Sequence, residues 1–462
     1  MPLTVSIASA GGRRSGQTDA VLGVFFIVLK GLVAAEGNAE SHKLLTEENV
    51  RAALESDQGP DATLLSWRVR DFTQKGDNYA CFVTSVEAGG RGGAVQAGGG
   101  EERAASYVAK LNPRRVNEAL NEMMAKLFYR EGTVFTKVVP AMNRILARIG
   151  CPPIAVAKCF FCSLAKGEEV LILEDLRPRG FRMWDRRRGL DAPHARLVLQ
   201  ELGRFHAASL LLESELPNKD LLRTYSLGDH FMSSDAAKKL FGGMVSAQLE
   251  ATARILEEIP KYERVCQWLH ETKGESLNMF TEMLDPANYK PPFFVLNHGD
   301  CWNNNLLFRY DDSGAPVQVM LVDLQVARKV SPALDLNYFL YSSFNGPERQ
   351  QNLEQFLKVY HDSFSRVTSA GGFEELFGID QLRDEFRAKM LFGCISGMMI
   401  MPLVLSEEKD VPDFDVKSDE DMEQYKEERQ KVLLEMSKRE DGLLKPRLLD
   451  MLDEMMEFGI IS

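Results

Sequence analysis

Two short apolar runs, VLNH and VMLVDL, end in polar side chains between Val295 and Gln325. Asp300, Asn305 and Asp323 lie near these ends, where burial without a partner costs several kcal/mol per group. A divalent cation and a phosphate group are suitable partners for such side chains. The spacing HGDxxxxN, with an aspartate 18 residues after Asn305, is typical of the catalytic loop and metal-binding aspartate of phosphoryl-transfer enzymes.

Each of these three residues has a predicted role. Asp300 is the candidate catalytic base, which orients the attacking hydroxyl of an alcohol and accepts its proton. Asn305 and Asp323 offer the hard oxygen ligands that Mg²⁺ prefers beside water and phosphate. The stretch therefore predicts transfer of a phosphoryl group to a hydroxyl.

Candidate nucleotide-binding groups lie upstream of this stretch. Gly76, Asp77 and Asn78 belong to a tight polar turn, which is the candidate nucleotide loop. Lys110 ends a predicted strand and Glu131 lies on the next predicted helix, an order typical of the ion pair that holds the phosphates of ATP. Taken alone, either residue would be an ordinary surface residue. Their common order with the downstream loop favours an ATP site.

The extended link LEDL follows these groups in the chain. Backbone groups of Glu174 and Leu176 in this link would bond the edge of an adenine ring. These two residues complete the predicted set of cofactor-binding residues.

Alternation of apolar and polar residues predicts three antiparallel strands, and two later segments resemble strands. Together they predict a five-stranded sheet with one inserted helix at 117–148, followed by a mainly helical part. Thr46 is predicted to cap a first helix. The predicted strands lie at 66–73, 80–88, 105–111, 155–163 and 169–176, and the later helices near 195–213, 231–258, 261–284, 350–366, 381–401 and 421–438.

We expect an α+β protein with three segments. An extension at 1–43 is expected to be disordered or loosely packed, and 44–176 to be a nucleotide-binding N-lobe. The remaining 177–462 is expected to be a helical C-lobe that carries the catalytic loop and the acceptor site.

The composition restricts partners and location. The formal net charge of -12 argues against a nucleic-acid partner. Seven scattered cysteines predict reduced thiols and a cytoplasmic location, and Cys159 with Cys162 is either a pair of core thiols or a metal or redox site. The apolar run 20–29 is too short to span a bilayer, so no stable membrane insertion is expected. Alternatively, this run is a signal or an anchor.

Other polar segments have two interpretations each. The arginine-rich segment 177–188 would hold an anionic group or would be a solvated basic loop. The glycine tract at 89–100 favours an exposed loop over a phosphate cradle. His298 is expected to orient the catalytic loop, His206 to support the core or that loop, and Asp335 to cap the following helix and bond the catalytic loop.

Seven segments resemble the ecdysteroid kinase-like, or CHK kinase-like, proteins, which are relatives of choline kinases and aminoglycoside phosphotransferases. They are GDNYACFVTSV, YVAKLNP, LFYREGTVFTKVVP, LILEDLRPRGF, LGRFHAAS, HGDCWNNNLLF and VMLVDLQVARKVSPALDLNYFL. The resemblance implies a bilobed protein-kinase-like fold and phosphorylation of a small-molecule hydroxyl by ATP with Mg²⁺. By position, it implies that Asp300 is the base, that Asn305 and Asp323 bind metal, and that Lys110 and Glu131 form the ion pair.

We therefore expect an ATP-dependent kinase that acts on an ecdysteroid-like or xenobiotic alcohol. The alternatives are a choline/ethanolamine- or aminoglycoside-type kinase and a catalytically silent binding protein with a kinase fold. A protein kinase is less compatible with the sequence, because no APE-type segment follows VDLQ. The residues leave the acceptor alcohol and the oligomeric state open.

Overall fold

The computed structural model describes residues 41–71, 82–91, 102–113, 118–228, 235–410 and 419–461. The predicted nucleotide loop at Gly76, Asp77 and Asn78 lies outside these ranges. So do the apolar run 20–29 and most of the glycine tract.

The predicted five-stranded antiparallel sheet is confirmed. Its strands are β1 (Thr63–Asp71), β2 (Phe82–Arg91), β3 (Glu102–Leu111), β4 (Cys159–Ser163) and β5 (Val170–Glu174), in the spatial order β1-β2-β3-β5-β4. Because β3 is central, Lys110 near its end pairs with Val83 on one side and Leu171 on the other. The sheet therefore fixes the backbone of Lys110 on both edges of its strand.

One face of this sheet packs on helix α1 (Glu47–Gln58). Thr46 caps this helix, as predicted, because its hydroxyl accepts a hydrogen bond from the N–H of Asn49 at 3.2 Å. Val50 and Leu54 of the helix are fully buried. The hydroxyl of Tyr107 on β3 donates to Asp57 at the end of the helix, which ties the helix to the central strand.

The predicted helix at 117–148 is confirmed as one continuous helical segment. It consists of α2 (Glu118–Thr133), a π-helical turn (Val134–Val138) and α3 (Val139–Arg148). Apolar residues of α2 such as Met124 and Leu127 are buried. Glu131 lies on the same side of α2, one turn after Leu127, and it is buried with them.

The second lobe is mainly helical, as expected. Its helices are α4 (Ala192–Glu215), α5 (Leu221–Thr224), α6 (Asp235–Leu256), α7 (Glu263–Thr272), α8 (Ser276–Leu284), α9 (Pro332–Ser343), α10 (Gly346–Ala370), α11 (Ile379–Ala388), α12 (Met390–Leu405), α13 (Asp419–Ser437) and α14 (Leu444–Glu457). The predicted helix at 261–284 is two helices, and so is the one at 381–401. Helix α14 was not predicted.

Short strands frame the catalytic stretch. They are β6 (Arg182–Met183), β7 (Val295–Asn297), β8 (Leu306–Tyr310), β9 (Pro316–Leu321) and β10 (Arg328–Val330). The strands β6, β8 and β9 form one small sheet, and β7 pairs with β10. Asn305 immediately precedes β8 and Asp323 follows β9, so the pairing of these strands brings the two residues to the same end of the small sheet.

The core of the helical lobe is built around α4, α9 and α12. Nearly all residues of α12 are buried, including Cys394, Ser396 and Met398. Within the described residues, no single helix is long and apolar enough to span a membrane. Helices α11 and α12 together have the length and composition of a span, but the pair is bent by 54° between them.

Candidate active site

A cluster of three charged side chains joins the two lobes; two of them, Lys110 and Glu131, are buried. Lys110 of β3 donates hydrogen bonds to both carboxylate oxygens of Glu131 on α2, at 2.8 and 2.7 Å. The same ammonium nitrogen donates to Oδ1 of Asp323 at 2.8 Å. Burial raises the pKa of Glu131 above its ordinary value, although Lys110 opposes this and Asp323 adds to it. The predicted Lys110–Glu131 pair is therefore formed, and it reaches the aspartate of the helical lobe.

Asp323 stands in a strained backbone conformation. Its φ is +69°, in the left-handed region that few residues other than glycine adopt. Its second oxygen, Oδ2, accepts a hydrogen bond from the side chain of Gln325 at 3.0 Å. Strain of this kind persists only where the surroundings fix it, and it is common at functional sites.

The catalytic loop surrounds Asp300, which is 2% exposed. Asn305 donates two hydrogen bonds of 2.9 Å from its amide nitrogen, one to the backbone oxygen of Asp300 and one to its Oδ2. The hydroxyl of Tyr338 on α9 donates to Oδ1 of Asp300. Burial and the charge of Asp300 raise the pKa of Tyr338 well above its ordinary value, so this hydroxyl stays protonated.

His298 connects this loop to the strand before Asp323. Its Nε2 donates to the carbonyl of Val322 at 3.0 Å, and its Nδ1 accepts from the N–H of Asp300 at 3.2 Å. Burial lowers the pKa of His298, which agrees with a neutral ring that donates on one side and accepts on the other. The expected role of His298 in orienting the loop is supported by these contacts.

Asp335 fixes the backbone of the catalytic loop through hydrogen bonds. It accepts hydrogen bonds from the N–H groups of His298 at 2.6 Å and Gly299 at 2.8 Å, and from Nε2 of His206 at 3.1 Å. Burial raises the pKa of Asp335, but the hydrogen bond and charge of His206 and the other donors outweigh this effect and lower it. The expected bond to the catalytic loop is confirmed. The expected helix cap is wrong, because Ser331 caps α9.

Gly299 occupies a position that a side chain cannot enter. Its φ is +82°, and an added Cβ would lie 2.4 Å from the carbonyl oxygen of Val326. Glycine in the HGD sequence is thus required by both conformation and space.

The extended link after β5 is held to the sheet. Asp175 accepts hydrogen bonds from Ser106 on β3 and from the guanidinium of Arg177. Glu174 pairs with Arg179 at 2.7 Å, and its N–H donates to the carbonyl of Lys158. The N–H of the buried Leu176 donates no hydrogen bond to the described residues, so it is a donor of the kind that an adenine edge would require.

The structure brings together five predicted site residues and leaves the others apart or undescribed. Lys110, Glu131 and Asp323 form one cluster, and Asp300 with Asn305 forms a second cluster beside it on the catalytic loop. His298 and the backbone bond from Val322 to Asn305, at 3.0 Å, connect the two. Glu174 and Leu176 lie on the link between the lobes. Gly76, Asp77 and Asn78 lie outside the described residues.

Three residues at this site were missed by sequence reasoning. Tyr338 lies within NYFL, where its apolar neighbours make it resemble an ordinary core residue, and its contact with Asp300 depends on the docking of α9. Gln325 lies two residues after Asp323, and this spacing alone does not predict that its side chain donates to the carboxylate of Asp323. Asp175 was included in the link but given no role.

The donor atoms available here suit Mg²⁺. The amide nitrogen of Asn305 is turned to Asp300, and its Oδ1 accepts no hydrogen bond from the described residues. Asp323 supplies carboxylate oxygens from the other side of the strand pair. Mg²⁺ is usually held by one or two such oxygens together with waters and phosphates. Among the described residues, including this site, no group of three or more His, Cys, Asp or Glu side chains could hold a metal ion.

Cys159 and Cys162 have the properties of unreactive thiols. Burial raises the pKa of Cys159 to about 12 and that of Cys162 to about 11. A reactive cysteine requires the opposite shift. These values favour the interpretation as core thiols over a redox site.

Two lobes joined by the Lys110–Glu131–Asp323 cluster define a bilobed, protein-kinase-like fold. A sequence profile for the ecdysteroid kinase-like family matches residues 75–371, which is more than half of the 462 residues. The chain belongs to the ecdysteroid kinase-like family.

Two solved structures are similar to the chain, each at 13% sequence identity. The Plasmodium vivax ethanolamine kinase matches over 85% of this chain and 84% of that protein, with a TM-score of 0.35. The GDP and kanamycin complex of APH(2")-IIia matches over 74% of this chain and 88% of that protein, with a TM-score of 0.31. No curated protein matches the sequence significantly.

Proposed function

We propose that this protein is an ATP-dependent small-molecule O-phosphotransferase that phosphorylates an ecdysteroid-like or xenobiotic alcohol. The observation that carries the proposal is the lysine of the sheet lobe, Lys110, bonded at once to Glu131 and to Asp323. In kinases the phosphate-side lysine is paired with a helix glutamate and a separate aspartate binds Mg²⁺, and Lys110 here lies beside candidates for both carboxylates. Membership of the ecdysteroid kinase-like family supports the same conclusion.

In the proposed reaction, Asp300 accepts the proton of the acceptor hydroxyl while the hydroxyl oxygen attacks the terminal phosphate of ATP and ADP departs. Tyr338 and Asn305 hold the carboxylate of Asp300 in one orientation for this purpose. Asn305 and Asp323 would hold Mg²⁺, which neutralises phosphate charge when bound. Lys110 would contact the phosphates of ATP, and Glu131 keeps its ammonium group in place.

We assign nucleotide binding to 44–176 and the catalytic loop with the acceptor site to 177–462. Gly76, Asp77 and Asn78 are proposed as the nucleotide loop, and the backbone of Glu174 and Leu176 as the adenine contacts. Because the reaction consumes ATP, we also propose a cytoplasmic location.

Family membership is the ground on which we propose the acceptor. The aromatic rings near Asp300 do not select it: Tyr338, which contacts Asp300, lies 6.3 Å from Phe392 between ring centroids, Phe392 lies 5.4 Å from Phe280, and all three side chains are buried. Aromatic faces also bind quaternary ammonium groups such as that of choline. Because the chain belongs to the ecdysteroid kinase-like family, ecdysteroid-like and foreign alcohols are the acceptors that we propose first.

The proposal is tested by removing one functional group at a time. Purified protein is incubated with MgATP and a panel of sterols, phenols, cholines and aminoglycosides, and ADP release is measured together with the phosphorylated product. Asp300→Asn and Asp323→Asn should each abolish transfer to any accepted alcohol. Asp311→Asn, a substitution in an exposed turn, should leave turnover unchanged.

Two outcomes would contradict the proposal. Near-normal turnover in Asp300→Asn would remove the proposed base. Absence of MgATP binding by calorimetry in the wild-type protein would instead support the alternative, a kinase-fold protein that binds a ligand without transferring phosphate.

A further inference from the structure

A cavity lies between the arginine-rich segment 177–188 and the start of α14. None of the proposed catalytic residues lines it. Its volume is about 480 Å³, within the range of small-ligand sites. Three arginines line it, Arg187, Arg188 and Arg447, together with Leu443 and Pro446 from the chain at the start of α14. Asn345 and two carboxylates, those of Asp185 and Asp450, complete the lining.

Arg447 is a buried cation without a matching anion. It is 6% exposed, and its Nη2 donates to the carbonyl oxygen of Arg187. Its Nε is buried and has no hydrogen-bond partner, and the guanidinium forms no ion pair with the described residues. Burial lowers the pKa of Arg447 to about 10, although Asp185 opposes this, so the side chain remains charged at neutral pH. A buried charge without a partner is costly unless something compensates it.

The arginines of the segment 177–188 differ in the number of hydrogen bonds and ion pairs that they form with the protein. Arg177 and Arg179 form ion pairs with Asp175 and Glu174, and Arg186 donates to backbone carbonyl groups at the end of α12. Arg188 forms no ion pair with the described residues and lies over the ring of Trp184 at 5.0 Å. Most arginines of this segment are therefore bonded to other groups of the protein. Arg188 of the segment and Arg447 of α14 form no ion pair with the described residues, so their positive charges are available to an anionic ligand.

The two carboxylates in the cavity do not neutralise these arginines. Asp185 accepts the N–H of Arg187 as the cap of a 3-10 turn. Asp450 packs against Gly346, where an added Cβ would lie 2.4 Å from the Cβ of Asp450. Arg187 itself is paired with Glu407 at 3.0 Å. Neither aspartate forms an ion pair with Arg188 or Arg447.

The start of α14 forms one side of the cavity. Pro446 and Arg447 of its first turn line the cavity. Pro446 has no N–H group, and the N–H of Arg447 donates to the carbonyl oxygen of Leu443 at 3.4 Å. The helix therefore contributes the guanidinium of Arg447 to the cavity rather than backbone N–H groups.

We propose that this cavity binds a phosphate group, held by the guanidinium groups of Arg447 and Arg188. The group is either inorganic phosphate or the phosphate of an ester, and the apolar rim at Leu443 and Pro446 would contact the body of an ester. The site is separate from the proposed catalytic residues and does not depend on the proposed function.

The test uses the full chain without nucleotide and with EDTA to remove divalent metal. Binding of inorganic phosphate and of phenyl phosphate is measured by calorimetry and by the shift in melting temperature, against chloride at equal ionic strength. Tighter binding of phenyl phosphate would identify an ester as the preferred ligand, and equal binding would identify phosphate alone. We expect Arg447→Gln and Arg188→Gln each to weaken phosphate binding about tenfold or more.

Arg188 is exposed, so Arg188→Gln tests the site even if Arg447→Gln does not fold. Arg383→Gln is the matched control, because Arg383 is an exposed arginine whose partners, Glu354 and Asp380, lie elsewhere. This control should bind phosphate like the wild type. No phosphate binding by the wild type, equal binding by Arg188→Gln, or an equal loss in Arg383→Gln would each overturn the proposal.

Discussion

Tyr338 gives the sharpest prediction about the catalytic loop. Its hydroxyl donates to Oδ1 of Asp300, and both side chains are at least 98% buried. A hydrogen bond to a charged group contributes about 1.5–3 kcal/mol. If this bond orients Asp300 in the transition state, Tyr338→Phe should lower kcat about 10- to 150-fold.

The substitution is conservative in shape, because phenylalanine keeps the ring that faces Phe392 at 6.3 Å. The assay is steady-state transfer of phosphate to the best acceptor from the screen, with KM for ATP measured in parallel. A positioning role predicts a lower kcat with an unchanged KM for ATP, because no contact of Tyr338 reaches the lysine cluster.

Tyr341 provides the matched control on the same helix. It is equally buried, and its hydroxyl donates at 2.7 Å to Glu454 of α14, away from Asp300. Tyr341→Phe should lower the free energy of unfolding and leave kcat within about twofold. The reasoning is refuted if Tyr338→Phe keeps wild-type turnover, or if Tyr341→Phe loses as much turnover as Tyr338→Phe.

Three further predictions concern stability. Gly299→Ala should lower the free energy of unfolding, measured in urea, by much more than Gly314→Ala does. Both glycines have φ near +82°, but only at Gly299 would an added Cβ lie 2.4 Å from a carbonyl oxygen, that of Val326. Equal losses in the two variants would exclude the steric cause. Thr46→Ala should cost about 1 kcal/mol through the lost cap, and an unchanged urea midpoint would show that the cap contributes nothing. Burial raises the pKa of Glu201 to about 7, against the opposing effect of its arginine partner. Because the folded-state pKa is the higher one, the stability that this group contributes is present below about pH 4.5 and is lost as pH rises to 7. The difference in unfolding free energy between wild type and Glu201→Gln should therefore fall by about 3 kcal/mol over that window, and a difference independent of pH would contradict the shift.

Local patterns predicted the elements of the fold well. The first three strands follow from period-two alternation, and Thr46 followed by two glutamates predicted the first helix and its cap. Strand β5 is a continuous apolar run that is buried on both faces. The break between α11 and α12 was not predicted, because no proline or glycine stands at Lys389, where one helix ends and the next begins. Helix α14 was missed because its partners are distant in sequence, such as Glu454 with Arg349 at 2.6 Å.

The site was predictable to the extent that chain order encodes it. Lys110, Glu131 and Asp323 come from three separate elements, and their order alone indicated the cluster that the structure shows. The contact of Tyr338 with Asp300 has no comparable pattern, since it depends on how α9 packs against the loop. Asp335 illustrates the opposite error, because a helix position was interpreted as a cap when its side chain is turned to the catalytic loop.

The buried polar groups of the catalytic loop have partners within the protein itself. Buried Asp300 and Asn305 suggested a need for a cation, but the protein itself supplies partners to both, through Tyr338 and through their mutual bonds. The position of Asp323 is likewise maintained by Lys110 and Gln325. The protein's own contacts therefore fix these side chains, and Asn305 and Asp323 are held in position as metal ligands. It follows that Asp323→Asn should remove activity while leaving the fold intact, because Asn can still accept from Lys110.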